Sequence, residues 1–290
     1  MPGAEPIFMA GRGAAARCGV LVVHGFTANP SEVRWLADAC AADGYTVFAP
    51  RLAGHGTTPR ALARTRWPDW LATAADGLAV LRGAGCTRVF AVGHSMGGLL
   101  ALLLAADPAH GLRGAAVLAT PIHIAQRRAR LAHLFWPLIP YTDQADNSLL
   151  NHVVREEQAR RGEPVRGRVR YDQWPTRAVG QLHALTTHTR ARLPGVRAPV
   201  LLVYARHDRI VPLAQAGVLQ SALTTARVTL RIIEQGGHII PQDAGREDAF
   251  AAVRAWLSER ETEGGLKAEH GFKVEDGFKV EDGLDAAGSA

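Results

Sequence analysis

Lysine is absent from the first 266 residues of this 290-residue chain: Lys267, Lys273 and Lys279 all fall in the last 24 positions, while the body carries arginine alone. That shift marks a boundary in the chain. Cysteine is equally sparse. Cys18, Cys40 and Cys86 are odd in number and scattered, with neither metal-ligand spacing nor a disulfide framework, which suits a reducing compartment. No run approaches twenty uninterrupted apolar residues, and the N-terminal stretch "MPGAEPIFMAGRGAAARCGVLVVHG" lacks a basic start, an apolar run and a small-residue cleavage site. A soluble, cytoplasmic protein is expected. The formal charge of +6 brings no nucleic-acid motif with it, because the arginines are widely spread, so an Arg-rich solvated surface is expected and nucleic acid is not a partner. With 47% hydrophobic residues, most of the chain is outside the disordered class and can bury one large core, or a domain with an insertion.

What is present is an alternation. Short apolar, β-rich runs, VLVVH (Val20 to His24), YTVFAP, RVFAV, AAVLAT (Ala115 to Thr120), APVLLVYA (Ala198 to Ala205) and VTLRII (Val228 to Ile233), are separated by helical patterns over Ser31 to Asp43, Asp69 to Leu81, the Leu/Ala run after Ser95, and about Gly245 to Glu259. Continuous apolar strands between helices predict an α/β fold with a mostly parallel sheet covered on both faces. The rhythm stops between Pro121 and Arg192, an Arg-rich, helical-looking segment containing the apolar stretch LAHLFWPLIPY. The expected organisation is a core of residues 1–120 and 193–263, an inserted cap of residues 121–192 over the carboxyl ends of the strands, and a tail of residues 264–290. That tail repeats with a period of six, glycine falling at 265, 271, 277 and 283, and is too short and too weakly apolar to stack into a core, so disorder is expected.

Only six serines occur in the chain, and one of them, Ser95, stands where strand-like "FAVGH" gives way to helical "MGGLLALLLAADP". Gly93 and Gly97 bracket it as Gly-x-Ser-x-Gly, a pattern this composition produces by chance about 0.06 times. Glycines on either side permit a sharp strand-to-helix turn that holds the hydroxyl out over the sheet. A glycine-rich connection whose serine merely caps the helix would give the same letters. A serine hydroxyl needs a base, and the base needs an orienting acid. Asp208, in "VLLVYARHDRIVP", and His238, in "LRIIEQGGHIIPQD", each follow an apolar strand in a loop, in the chain order Ser, Asp, His. Of the other histidines, His207 shares the loop of Asp208, His94 lies inside the serine turn with its side chain directed away from that of Ser95, and His55 in "PRLAGHGTTP" reads as structural; Asp243 follows His238 too closely. The backbone N–H groups of Met96 and of Phe26, in "HGFTANP", are the candidate oxyanion donors.

With these residues assembled, the chain resembles the α/β-hydrolases of the bacterial carboxylesterase and monoacylglycerol lipase group. The resemblance rests on "LVVHGFTANP", "YTVFAPRLAGHGT", "WPDW" at Trp67 to Trp70, "GHSMGG", "ARHDRIVP" and "GGHIIPQD", in that order, over roughly Ile7 to Leu257. It implies a Ser95, Asp208, His238 triad with the Phe26 and Met96 amides as oxyanion hole, and hydrolysis of carboxylic esters of single acyl chains, with no cofactor and no metal. It also implies a cap over the acyl pocket, and the arginines of this one, "RRAR" and "RRGEPVRGRVR", depart from the short caps of the group. The substrate would be a small-molecule ester, monoacylglycerol included. Within the insertion, Leu134, Phe135, Trp136, Leu138 and Ile139 are candidates to line an acyl channel, although a cap packing its own small core has the same periodicity. The flanking arginines offer a weak contact with an anionic lipid surface, against the plainer reading of a solvated surface. The same triad could serve a thioester, a carbon–carbon bond or perhydrolysis, and a non-catalytic hydrolase-like receptor would be expected to have lost one of the three residues.

Overall fold

The computed structural model describes residues 1–124, 136–143 and 148–269. Its chain order begins β1 (Ile7–Met9), β2 (Cys18–Val23), α1 (Arg34–Ala42), β3 (Thr46–Ala49), α2 (Pro59–Arg64), α3 (Trp67–Gly83), β4 (Arg88–His94), α4 (Met96–Ala106) and β5 (Gly114–Leu118). The insertion follows with β6 (Tyr141–Asp143), α5 (Ser148–Arg160), β7 (Gln173–Pro175) and α6 (Thr176–Arg192). The chain then returns through β8 (Val200–Ala205), α7 (Ala214–Ala222), β9 (Val228–Ile233) and α8 (Arg246–Glu269). Among the described residues β1, β3, β2, β4, β5, β8 and β9 form one seven-stranded sheet in that spatial order, parallel throughout except for β1, which runs antiparallel along β3. The α/β-hydrolase fold expected from the sequence is the fold observed.

The inner strands are uninterrupted apolar runs because both faces are covered: every residue of β2, β5 and β8 is buried. On one face Val20, Val22, Phe90 and Val92 pack with Trp35, Leu36, Phe250 and Trp256 from α1 and α8. On the other, Leu21 and Val23 pack with Trp70, Leu78, Leu99 and Leu103 from α3 and α4, and Ala178 and Leu185 of α6 join that cluster, so the end of the insertion is built into the core. The insertion is not wholly helical: β6 and β7 pair antiparallel, Tyr141 opposite Pro175. The last helix runs beyond Glu259 to Glu269, and in its stretch past Glu259 Glu261 pairs with Arg88 and Glu263 with Arg227. The tail from residue 270 lies outside the described residues. No helix among the described residues is long and apolar enough to cross a membrane.

Candidate active site

β4 is central in the sheet, between β2 and β5, and its carboxyl end delivers Ser95 to the turn into α4. Ser95 adopts φ 53° and ψ −117°, a region costly for a residue with a side chain, of order 1–3 kcal/mol. The turn is tight enough that a Cβ on Gly93 would strike the Gly97 carbonyl, and one on Gly97 would strike the Val23 carbonyl of β2. The Ser95 amide donates to the Leu118 carbonyl of β5 at 2.8 Å, which pins the strained residue to the neighbouring strand. Met96 begins the helix. The loop after β2 abuts this turn: a Cβ on Gly25 would lie 3.5 Å from that of Ser95. Among the described residues neither the Phe26 nor the Met96 amide has a hydrogen-bond acceptor.

β8 and β9 bring the other two predicted residues to the same edge. His238 Nε2 lies 3.1 Å from Ser95 Oγ, and its Nδ1 lies 2.9 Å from Asp208 Oδ2. The other Asp208 oxygen accepts the amides of Ile210 at 2.7 Å and Val211 at 2.9 Å. Burial by itself would raise the Asp208 carboxyl, but hydrogen bonding from His238 and those two amides outweighs it and holds the group below its ordinary range. Burial dominates at His238 and, with the His94 ring nearby, lowers its imidazole despite the attraction of Asp208. The arrangement can therefore keep a neutral imidazole against a serine hydroxyl, with a carboxylate behind it. Asp243 accepts the amides of Gly237 and Ala244, each at 2.7 Å, bracing the His238 loop from its backbone.

Residues 14–244 match the family described as Serine aminopeptidase, S33. The chain is 32% identical over 243 residues, 84% of its own length and 90% of the relative's, to the thermostable monoacylglycerol lipase of Bacillus sp. (strain H-257). It is 26% identical to the carboxylesterase of Bacillus subtilis (strain 168), covering 83% of this chain and 92% of that one. Among solved structures, one from the pair LipS and LipT, two metagenome-derived lipolytic enzymes, superposes with a TM-score of 0.77 at 26% identity, covering 89% of this chain and 99% of that chain. The chain belongs to this hydrolase family. Within it, the relatives place the chain in the bacterial carboxylesterase and monoacylglycerol lipase group.

Sequence reasoning about this hydrolase overlooked a group behind the serine turn. Glu32, 4% exposed, accepts the Gly25 amide at 2.7 Å, faces His94 Nδ1 at 3.0 Å and pairs with Arg168 Nη2 at 3.4 Å. Arg168 belongs to the arginine run expected to be a solvated surface, yet its side chain is only 7% exposed. Arg161 and Arg246 likewise converge on Glu157. A pairing between positions so far apart leaves no local signal, and an arginine among arginines reads as surface.

Of the five apolar residues named in the insertion, Leu134 and Phe135 lie outside the described residues, as do the arginines at 127, 128 and 130. Trp136, Leu138 and Ile139 are exposed, and the Arg177 guanidinium lies over the Trp136 ring, 5.5 Å from its centroid. A different insertion residue, Trp174 on β7, reaches the loop after β2: its ring is 5.4 Å from that of Phe26, edge-on, and Phe26 in turn lies 6.0 Å from Trp70. Trp174 carries no sequence signal beyond its size. The three cysteines are buried thiols, and burial pushes Cys18 up to about 11 and Cys40 up to about 12, leaving neither as a nucleophile at neutral pH.

Two histidines of the surrounding loops carry a consequence for stability. Burial lowers His24 to about 4 and His55 to about 3, from an ordinary 6.5. A histidine depressed in the folded state binds its proton sooner when unfolded, so stability falls as pH drops from 6.5 toward those values. The denaturant midpoint of the hydrolase is expected to decline steadily between pH 6.5 and 4. His55→Asn should lessen that slope by up to about 1.4 kcal/mol per pH unit, and equal slopes in both proteins would show that His55 is not a buried neutral group.

Proposed function

We propose that this chain hydrolyses carboxylic esters of single acyl chains, monoacylglycerols among them, through an acyl-serine intermediate on Ser95. That it is a serine carboxylic-ester hydrolase follows from the family and from relatives named as a monoacylglycerol lipase and a carboxylesterase. The observation that supports the assignment of roles is the chain of contacts from Ser95 Oγ to His238 Nε2 at 3.1 Å and from His238 Nδ1 to Asp208 at 2.9 Å. His238 takes the hydroxyl proton as Ser95 attacks the ester carbonyl, and Asp208 stabilises the imidazolium that forms. The Phe26 and Met96 amides hold the oxyanion. The imidazolium then protonates the departing alcohol. A water, deprotonated by the same ring, releases the acid and restores Ser95. The thioester, carbon–carbon and receptor readings are not favoured by the relatives' names.

Residues 121–192 serve in this reading as a cap on the core of residues 1–120 and 193–263. Apolar groups at Trp136, Leu138 and Ile139 then meet the acyl chain, each buried methylene contributing about 0.8 kcal/mol. A preference for medium-length acyl chains on single-chain esters, with little action on triacylglycerols, is the expected result. The measurement is kcat/KM from acetyl to palmitoyl aryl esters, beside mono-, di- and triacylglycerols, acyl thioesters and amino-acid amides, for wild type and Trp136→Ala. Best activity on acetyl esters in both proteins, with no chain length selectively altered by the substitution, would remove the insertion from the acyl pocket.

A further inference from the structure

The turn that carries the Phe26 amide is held in a conformation its own residues do not favour. After β2 the chain folds back at Phe26 and Thr27, closed by the Ala28 amide on the Gly25 carbonyl at 3.3 Å. Thr27 stands at φ 60°. A β-branched residue is an outlier in that left-handed region, and such a conformation persists only where its surroundings over-determine it. Here both shoulders of the turn are fixed from outside. On one side the Gly25 amide donates to Glu32 Oε2 at 2.7 Å, and a Cβ on Gly25 would lie only 3.1 Å from that oxygen. The other Glu32 oxygen meets Arg168 Nη2 of the insertion at 3.4 Å, and Arg168 Nε reaches the Gln242 side chain at 3.3 Å. On the other side the Thr27 carbonyl accepts the Tyr171 amide at 3.4 Å, and the Asn29 side chain donates to the Val169 carbonyl. Tyr171 is itself anchored: it is 2% exposed, and its hydroxyl donates to the Gly54 carbonyl at 2.6 Å and accepts the Thr57 amide at 2.9 Å. One short piece of the insertion thus runs beside the turn, Arg168 on Glu32, Val169 on Asn29 and Tyr171 on Thr27.

We propose that residues 168–171 brace this turn, and that Glu32, seated by Arg168, is a positioning residue that keeps the Phe26 amide aimed at the oxygen of the ester carbonyl as negative charge develops there. A donor of this kind helps only when it points at the place the charge will occupy, and a displacement of an ångström can cost about 10²-fold in rate. The strain at Thr27 makes the brace necessary, because a turn left to itself would relax toward negative φ and swing the neighbouring peptide. The Glu32 side chain is 4% exposed, and with Gly25 on one oxygen and Arg168 on the other it joins the turn to the insertion without touching the substrate. The insertion then contributes to the geometry of the reaction as well as covering the site. Substitutions in this part of it act on kcat and not on the choice of acyl chain.

This inference rests on the reading that the Phe26 amide holds the oxyanion, and its test separates the two. The substrates are a carboxylic ester and its thiono analogue, in which sulfur replaces the carbonyl oxygen. Sulfur accepts hydrogen bonds weakly, so the preference for the oxygen ester in kcat/KM reports how well the amides are aimed. Glu32→Met removes the acceptor for Gly25 and keeps the length of the side chain. It is expected to lower kcat on the oxygen ester about 10²-fold with KM little changed, and to lower the preference for oxygen over sulfur about tenfold. Glu32→Gln keeps an acceptor and should recover most of both losses. Should Glu32→Met not fold, the double variant Glu32→Met/Arg168→Met removes both partners of the buried pair, leaves no guanidinium stranded, and is expected to show the same two losses. A fall in kcat with the preference unchanged would mark a merely structural role and overturns the proposal, as does an unchanged kcat. Failure of the underlying reading looks different: the wild type would itself show no preference for the oxygen ester.

Discussion

Replacing Ser95 with alanine is expected to abolish ester turnover while leaving the fold intact. The side chain contributes no cap to α4, and among the described residues its hydroxyl hydrogen-bonds with the His238 ring alone, so the packing beneath it is untouched. His238→Ala and Asp208→Asn should each lower kcat by at least about 10³ to 10⁴, because the imidazole must both carry the proton and present the correct tautomer. Asp208→Asn is the sharper test. Its Oδ1 can still accept the Ile210 and Val211 amides, so the loop survives, while an amide in place of Oδ2 cannot stabilise an imidazolium. Near-normal turnover by purified Asp208→Asn would move the acid elsewhere. Asp243 is ill placed to replace it, since its carboxylate is engaged by the Gly237 and Ala244 amides. In the wild type the base must be unprotonated, and burial lowers His238 from 6.5, so kcat/KM should rise with pH to a plateau and reach half its maximum below 6.5. A profile flat from pH 5 to 8 would be compatible with a deeply lowered His238 only if activity then fell below pH 5.

The residues of that test were legible because each sits at the end of an apolar strand, and a strand buried on both faces writes itself as a continuous run. β2, β4, β5 and β8 are of this kind, and the turns at their carboxyl ends gather Ser95 and Asp208 into one edge of the sheet. β9 was readable from its β-branched letters although only Ile233 of its six residues is buried. β1 was not, because three residues on an edge, with Phe8 half exposed, carry too few positions for a pattern. The β6 and β7 ribbon failed for the same reason, with the added obstacle that β7 ends in proline. Long-range polar pairs form the other blind spot. Glu32 meets His94 across 62 positions and Arg168 across 136, and nothing local distinguishes a glutamate at the start of a helix that faces solvent from one that anchors three loops. The reading of His94 as a residue directed away from the serine hydroxyl fits its contacts, which are to Glu32 and the His238 backbone, but letters alone could not supply its partners.

Gly97→Ala is expected to damage this protein far more than an ordinary glycine substitution. A Cβ there would run into the carbonyls of Val23 and His24, and since both obstacles are backbone, no rotamer change relieves the clash. Overpacking a tight site costs about 1–3 kcal/mol and more when backbone must move, and here it must move either β2 or the turn that carries Ser95. For a domain of this size a loss of about 3 kcal/mol corresponds to a fall in Tm of roughly 6–12 °C. Displacing the serine by even an ångström should remove a further ~10²-fold of turnover from the molecules that remain folded. Gly217→Ala supplies the contrast. It lies within α7, a Cβ there meets nothing within 4 Å, and it should stabilise the protein by about 0.5–1 kcal/mol through helix propensity, with kcat unchanged. Thermal unfolding and ester turnover of the two variants beside wild type separate a glycine required for close approach from one that is merely tolerated. Equal, small effects from both would mean that β2 and the serine turn are not packed as tightly as the Gly97 contacts require.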